Sequence, residues 1–353
     1  MRTLREITDK KQCYFIADIA ANHDGDLSRA KDLIFLAREA GADVAKFQHF
    51  LPNKIVSDEG FQSLGEIKTH QSSWKKSVYD VYEQYHTKRE WDETLYSTCQ
   101  EAGIEFMTTP YDLEAINSLD KFLNGYKIGS GDITYKPLIE ELIKKGKNII
   151  LATGASELGE VQKAMDLIVN NVEPDKIGLL QCNTNYTGSL DNFNYINLSV
   201  LQKYSQLYPQ VILGLSDHTP GHATVLGAVA LGAKIIEKHL TDDNSREGPD
   251  HKFAMNPETW REMVDRTQEL ILAMGDGKKV VEPNEQESII VQRRSIRAAK
   301  TLSYGTTLTV DDVTFLRPCT AEGLTPWELQ KLVGKALRCD VSKGEEITHN
   351  HVI

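Results

Sequence analysis

Between residue 14 and about residue 272 the chain alternates two hydrophobic patterns. Short runs, most of them apolar without alternation, recur at 14–19, 44–47, 105–108, 125–128, 148–152, 177–181, 211–215 and 234–238. A strand covered on one face would alternate apolar with polar. These runs do not, so each is predicted as a strand buried on both faces, as in a parallel sheet. The gaps carry helical spacing. Over 27–40, apolar residues recur at 30, 33, 34, 36 and 37, and Gly41 closes the run. Eight strand–helix units predict a (β/α)8 TIM barrel. A doubly wound sheet shares the alternation, but no Gly-x-Gly-x-x-Gly opens the first unit. The longest interruption, from 51 to about 85, exceeds a plain βα loop and contains Trp74-Lys-Lys-Ser-Val-Tyr79. It is expected to lie over the top of the barrel.

After about residue 275 the pattern changes. Residues 276–289, polar and marked by Gly277 and Pro283, read as a linker between a barrel at 1–275 and a small domain at 290–353. The second domain shows short β segments and a helix near 326–333. Leu302-Ser-Tyr-Gly-Thr-Thr-Leu and Val341-Ser-Lys-Gly-Glu-Glu-Ile repeat one turn pattern. A module this small is marginal alone and should dock on something larger.

Composition narrows the partners. The 353 residues carry a formal charge of −11, which argues against nucleic acid. No stretch approaches the ~20 apolar residues of a membrane span. The first residues lack the apolar core of a signal peptide, so the cytoplasm is the default compartment. Five widely spaced cysteines, with no Cys-x-x-Cys, indicate neither a disulfide framework nor a zinc ribbon.

Chemistry-bearing side chains collect at the predicted strand ends, where parallel α/β folds bind ligands. Val211-Ile-Leu-Gly-Leu-Ser-Asp-His218 and Ala233-Lys-Ile-Ile-Glu-Lys-His239 each end a strand on an imidazole. A lone histidine there is ordinarily a hydrogen-bonded loop residue. Two on adjacent strands suggest a divalent metal with open positions. Lys46 and Lys127 in a barrel mouth are costly unless they meet anions. Ser130 and the Gly129–Gly131 backbone, with the Thr153-Gly154 turn, can hydrogen-bond phosphate oxygens. Together they suggest a small substrate bearing phosphate and carboxylate. Asn22, His23, Gln48, Asp132, Gln181 and Ser216 fall at or near other strand ends. Cys182, with no base evident beside it, is expected in the core.

Ile16-Ala-Asp-Ile-Ala-Ala-Asn-His23, Gly41-Ala-Asp-Val-Ala-Lys-Phe-Gln48, Tyr126-Lys-Ile-Gly-Ser-Gly-Asp132, Gly214-Leu-Ser-Asp-His218, Ile236-Glu-Lys-His239 and Gly248-Pro-Asp-His251 occur in that order. By these motifs the chain resembles the sialic acid (nonulosonate) synthase family, and residues 290–353 resemble its antifreeze-like SAF (β-clip) domain. The resemblance implies a condensation. C3 of phosphoenolpyruvate attacks the aldehyde of an open-chain N-acetylated amino sugar, water adds at C2, and phosphate leaves by C–O cleavage. A nine-carbon 2-keto acid results. It implies Mn²⁺ or Mg²⁺ on His218 and His239. It implies phosphoenolpyruvate contacts at Lys46, Lys127, Ser130, Ser216 and, in a shuffled local sequence, near Thr184, while Thr153 or backbone N–H groups must substitute for a phosphate hydroxyl that Ala152 lacks. Tyr186 and Asp250 match sugar contacts, and Asp18, Gln48 and Asp132 stand near the reacting carbons. Arg317 matches an arginine that reaches the sugar's amide from the partner subunit, which implies a domain-swapped homodimer.

Three positions depart from the family pattern. Asp18 stands where Glu is usual, Ala152 where Ser is usual, and Ala20 where Gly is usual. They are expected to change affinity or substrate choice, not reaction class. The acceptor is left open among N-acetylmannosamine and 2,4-diacetamido-2,4,6-trideoxyhexoses of the legionaminate or pseudaminate type. For a phosphorylated sugar, Lys75-Lys76 is the candidate basic cluster. Trp74, Tyr79 and His251 are weaker candidates for substrate contact, and His349 and His351 are expected at a frayed end. Two other readings compete: a metal-dependent hydrolase using Asp217 beside the histidines, and a non-catalytic binding protein.

Overall fold

The structure is a computed structural model that describes residues 2–64, 71, 74 and 76–353. Two compact units divide it, Met1–Gly275 and Asp276–Ile353.

In the first unit eight parallel strands close into a barrel in sequence order. They are β1 (Tyr14–Asp18), β2 (Val44–His49), β3 (Glu105–Pro110), β4 (Gly125–Ile128), β5 (Asn148–Ala152), β6 (Ile177–Cys182), β7 (Ile212–Asp217) and β8 (Ile235–His239). Side chains alternate between two apolar regions, which explains why the runs lack a polar face. Ile16, Val44, Met107, Ile150, Leu180, Ile212 and Ile235 fill the barrel. Phe15, Ala45, Phe106, Tyr126, Ile149 and Leu213 point outward beneath the helices. Several strands run past the last apolar residue. The β2–β3 ladder continues to His49 and Pro110, and that of β7–β8 to Asp217 and Lys238. The register sets Asp18 beside Lys46 on one side and His239 on the other.

The sequence pattern assigned no element before residue 14, yet α1 (Leu4–Lys11) forms there, begun by a Thr3/Glu6 capping box. Its Leu4 and Ile7 join the barrel's inner core. Gly178 makes room for them. A Cβ on it would stand 2.8 Å from Ile235 Cδ1 and 3.4 Å from Leu4 Cδ1. Burying two such side chains is worth about 1.5–3 kcal/mol each.

The long interruption holds short helices at Pro52–Ile55, Asp58–Ser63 and Val78–Tyr85. Lys75 lies outside the described residues.

The second unit packs Ile296, Leu302, Leu308, Leu324, Leu332, Leu337, Val341 and Ile347 into a core of its own. β9 (Ser295–Ala298) and β10 (Val313–Leu316) pair antiparallel. The two repeated turns are structurally alike. Leu302 bridges Val341, and Gly305 (φ 79°) and Gly344 (φ 85°) take the left-handed conformation that the turn requires. The anticipated helix is a 3₁₀ segment at Pro326–Lys331. Within the stretch read as linker, Pro283–Glu285 is a 3₁₀ turn and Gln286–Gln292 a helix, and residues 276–288 are exposed. His351 does not fray: its Nδ1 accepts from the backbone N–H of Thr348 at 3.1 Å.

Candidate active site

The carboxyl ends of the strands surround a cavity of about 390 Å³. Of the residues singled out from sequence, Asp18, Gln48, Lys127, Ser130, Asp132, Tyr186, Ser216, His218, His239 and Asp250 line it. Cys182 lines it too, with burial raising its thiol pKa, as befits a packing residue.

The floor of the cavity is a buried quartet of charges. Lys46 Nζ lies 2.6 Å from Asp18 Oδ2 and 3.8 Å from Glu237 Oε2. Lys127 Nζ lies 2.9 Å from Glu237 Oε1. Two cations and two carboxylates balance, which makes burial tolerable. Burial pushes the Asp18 and Glu237 pKa values up, but the ammonium groups outweigh it and hold both below the usual carboxylate range. Burial alone would lower the Lys127 pKa. Glu237 and Asp18 reverse it, so the lysine stays charged. Ser216 Oγ donates to Glu237 Oε1 at 3.0 Å, and Gln48 Nε2 to Asp18 Oδ2 at 3.0 Å.

Lys46 is not at the mouth. It is fully enclosed, sits beneath the cavity, and also donates to Thr109 Oγ1 at 3.1 Å. Thr153 is turned away, its hydroxyl donating to the Leu180 carbonyl at 2.9 Å and accepting from Tyr204. Thr184 is half-buried outside the lining, its methyl against Gly154. A Cβ on Gly154 would meet that methyl at 2.5 Å, Ser130 Oγ at 3.0 Å and Cys182 Sγ at 3.1 Å. Only a glycine lets these three groups converge, and its N–H donates to Ser130 Oγ at 2.9 Å. Arg317 is exposed in the second unit.

The two imidazoles lie side by side, ring centroids 5.4 Å apart and tilted by 49°, with Tyr186 centred 4.4 Å from His218 and Phe253 4.9 Å from His239. Burial depresses both pKa values, that of His239 to about 3, so both rings are neutral. His218 Nδ1 faces the carbonyl of Asn183 at 2.8 Å. A carbonyl only accepts, so Nδ1 carries the hydrogen and the Nε2 lone pair is free. Buried His239 Nδ1 has no hydrogen-bond partner. Neutral rings with free lone pairs fit a divalent cation, the Nδ1–H to carbonyl bond being the usual orienting partner of a ligating imidazole. Asp18 Oδ2 lies 3.7 Å from His239 Nε2 and Asp250 Oδ2 4.0 Å from its Nδ1, but among the described residues no three His, Cys, Asp or Glu side chains are arranged to hold a metal ion, so two imidazoles would leave most positions to water or substrate.

Asp132 and Asp250 differ from the floor carboxylates. Burial raises each to about 6, opposed by Lys127 for Asp132 and by the Ala21 N–H for Asp250. Either can therefore exchange a proton near neutrality. Phe50, Ile55, Trp74, Val81, Tyr82 and Tyr111 form the apolar and aromatic part of the wall, so the long interruption reaches the site. Tyr79 is not in the lining, and Lys76 bonds Gln84 on the surface.

Asp217 points out of the barrel. It pairs with Lys238 at 2.6 Å and with the hydroxyls of Thr219 and Thr224, so it is not the carboxylate a hydrolase would need beside the histidines. His23 is a packing residue edge-on to Trp91. His251 bonds Asp24 and Thr241 beneath the cavity rim.

Glu237 was missed, although the signal was present. Two residues before His239 in β8 it shares the inward face, and two inward lysines require a second carboxylate besides Asp18. Tyr82 and Tyr111 carried no local signal.

Comparison with known proteins agrees with this geometry. The N,N'-diacetyllegionaminic acid synthase of Campylobacter jejuni is 34% identical over 92% of this chain and 96% of its own. The pseudaminic acid synthase of the same species is 32% identical over 96% of each chain. The crystal structure of an N-acetylneuraminic acid (sialic acid) synthetase from Leptospira borgpetersenii, in complex with citrate, superposes with TM-score 0.67 at 28% identity. It covers 78% of this chain and 90% of that one. The SAF domain model matches residues 293–353. The model of the NeuB family matches residues 33–279, and the chain belongs to that family.

Proposed function

We propose that this protein is a nonulosonate synthase that condenses phosphoenolpyruvate with an open-chain N-acetylated amino sugar and releases phosphate. One observation carries the reading: a buried lysine, two serine hydroxyls and two neutral imidazoles share a single cavity. Lys127 with Ser130 and Ser216 suits the phosphate and carboxylate of phosphoenolpyruvate. His218 and His239 would hold the divalent cation, Mn²⁺ or Mg²⁺, which when bound supplies Lewis-acid polarisation of the aldehyde. Asp132 and Asp250, with pKa values near 6, are suited to moving the protons that aldehyde addition and water addition require. Gln48 and Asp18 orient the reacting carbons, with Asp18 fixed by Lys46. The apolar wall of Phe50, Ile55, Trp74 and Val81 accommodates the acetamido methyl of the sugar. Lys46, Thr153 and Thr184 support the site from behind, and Tyr186 bounds the sugar end. Arg317 completes that end from the partner subunit of a domain-swapped homodimer, as the family resemblance implies. No described helix is long and apolar enough to cross a membrane, and we place the enzyme in the cytoplasm, where phosphoenolpyruvate is made.

The test is phosphate release from phosphoenolpyruvate in the presence of Mn²⁺. It is challenged separately with N-acetylmannosamine, its 6-phosphate and the two types of 2,4-diacetamido-2,4,6-trideoxyhexose, and mass spectrometry identifies any nine-carbon keto acid. Turnover that depends on one aldose names the acceptor. Folded, metal-loaded protein that releases no phosphate with any of them refutes the proposal.

A further inference from the structure

We infer that Asp24, which lies outside the cavity, is a positioning residue for Asp250 and thereby for the acceptor sugar; the assignment of the sugar to this end rests on the condensation proposed above. Asp24 is a hub between the loop after β1 and the loop after β8. Its Oδ1 accepts from His251 Nε2 at 2.8 Å. Its Oδ2 accepts from Arg246 Nη2 at 2.8 Å and Nε at 3.0 Å, and lies 3.1 Å from Arg29 Nε. Arg29 reaches on to Asp242, with Nη1 2.7 Å from Oδ2. Charge-assisted bonds of this number hold a carboxylate in one place.

The hub acts on the cavity through two contacts. The ring of His251, fixed at Nε2 by Asp24 and at Nδ1 by the Thr241 hydroxyl at 2.7 Å, lies directly under Gly248. A Cβ on Gly248 would stand 2.6 Å from His251 Cδ2, 3.0 Å from Nε2 and 3.4 Å from Asp24 Oδ1. That ring sets the path of the backbone into Pro249 and Asp250, which line the cavity. From the other side, Asp250 Oδ2 accepts from the backbone N–H of Ala21 at 3.1 Å. Ala21 sits three residues before Asp24, whose φ of 55° turns the same loop. Asp24 therefore fixes both the loop that carries Asp250 and the donor that orients its carboxylate. Lys127 on β4, Ser130 in the turn after it and Ser216 on β7 share no bond with this hub among the described residues.

Asp24→Ala tests the inference, with Asp24→Asn as the conservative variant that keeps one acceptor oxygen. Gly248→Ala disturbs the same clamp without touching Asp24. Steady-state kinetics should show the KM for the aldose rising on the order of tenfold in Asp24→Ala, while that for phosphoenolpyruvate stays within about twofold. Asp24→Asn should fall between, and Gly248→Ala should show the same split. Equal rises in both KM values, or loss of kcat alone, would overturn the inference and leave Asp24 a general stability residue. Peptide-resolved amide hydrogen exchange gives a readout that needs no turnover. Protection should fall in 19–25 and 241–254 together and stay unchanged in 127–131. Unchanged protection in the first two segments would overturn the positioning role even if wild type turned over every sugar. Absence of wild-type turnover with normal coupled exchange would overturn the condensation proposal alone.

Discussion

Replacing Glu237 by Gln isolates the charge balance beneath the cavity. The substitution keeps shape and a hydrogen-bonding oxygen for Ser216 but removes one of two buried carboxylates that face Lys127 at 2.9 Å and Lys46 at 3.8 Å. At an effective dielectric of about 20, those separations correspond to attractions of about 6 and about 4 kcal/mol. Desolvation of the carboxylate cancels much of this. Breaking a buried pair from one side leaves a net cost of about 3–5 kcal/mol. Lys127→Met in the Glu237→Gln background removes the stranded cation and leaves Lys46 with Asp18, its partner at 2.6 Å. The double variant should therefore be more stable than Glu237→Gln alone, with a coupling of about 2 kcal/mol or more. Urea denaturation followed by circular dichroism measures this, provided the m-value is shared. The buried cost should also be the same at low and high salt, unlike that of an exposed pair. A Glu237→Gln protein within about 1 kcal/mol of wild type, or a double variant whose loss equals the sum of the singles, refutes the reasoning.

Other perturbations read other parts of the molecule. Burial holds His23 neutral, with its pKa lowered from 6.5 to about 4. The unfolded chain thus takes up the proton first, and stability present above pH 6.5 is lost as pH falls toward 4, by up to about 3 kcal/mol. His23→Gln should flatten that dependence in urea titrations, and an unchanged slope would refute it. Ala152→Ser restores a hydroxyl at the end of β5. It should lower the phosphoenolpyruvate KM a few-fold with the same product by mass spectrometry, and a folded but inactive variant would count against the expectation. Mn²⁺ at 100 times its dissociation constant should stabilise the wild type by about 2.7 kcal/mol in thermal denaturation. Both His218→Ala and His239→Ala should lose that stabilisation, and its persistence in either would exclude that imidazole as a ligand.

The barrel was legible because most strands are apolar without alternation, and the helices between them keep their own period. The strand ends were less legible for one reason. An apolar run stops where the inward side chains become polar, but the backbone ladder does not. Gln48, Ser216 and His239 still lie in strands because their backbones remain paired with the neighbouring strands. α1 escaped notice because only Leu4, Ile7 and Thr8 of its eight residues are buried. What holds it is the packing of Leu4 and Ile7 into the barrel's inner core, with room left at Gly178, a contact that exists only after closure.

Depth explains what the sequence left unread in the site. Alternation tells which residues face inward: 46 and 48 on β2, 216 and 218 at the end of β7, 237 and 239 on β8. Each such pair is separated by two residues, about 6.6 Å along a strand. The lower member belongs to the floor and the upper to the wall, but which residue is lower depends on the stagger between strands. Lys46 and Lys127 both precede strand ends and look equivalent in the sequence. In the barrel Lys127 touches the cavity, while Lys46 is sealed beneath Asp18. In the proposed reaction a ligand anion would meet Lys127 directly, and Lys46 would act on it through the carboxylate it fixes. The shorter side chain of Asp18 gains a purpose on this view. Held at 2.6 Å by a lysine below and bonded by Gln48 from the wall, it is the hinge between the buried charges and the cavity. Its pKa, kept low by Lys46 against the effect of burial, makes it a poor proton donor, and in the proposed condensation that work falls to Asp132 and Asp250, whose pKa values stand near 6.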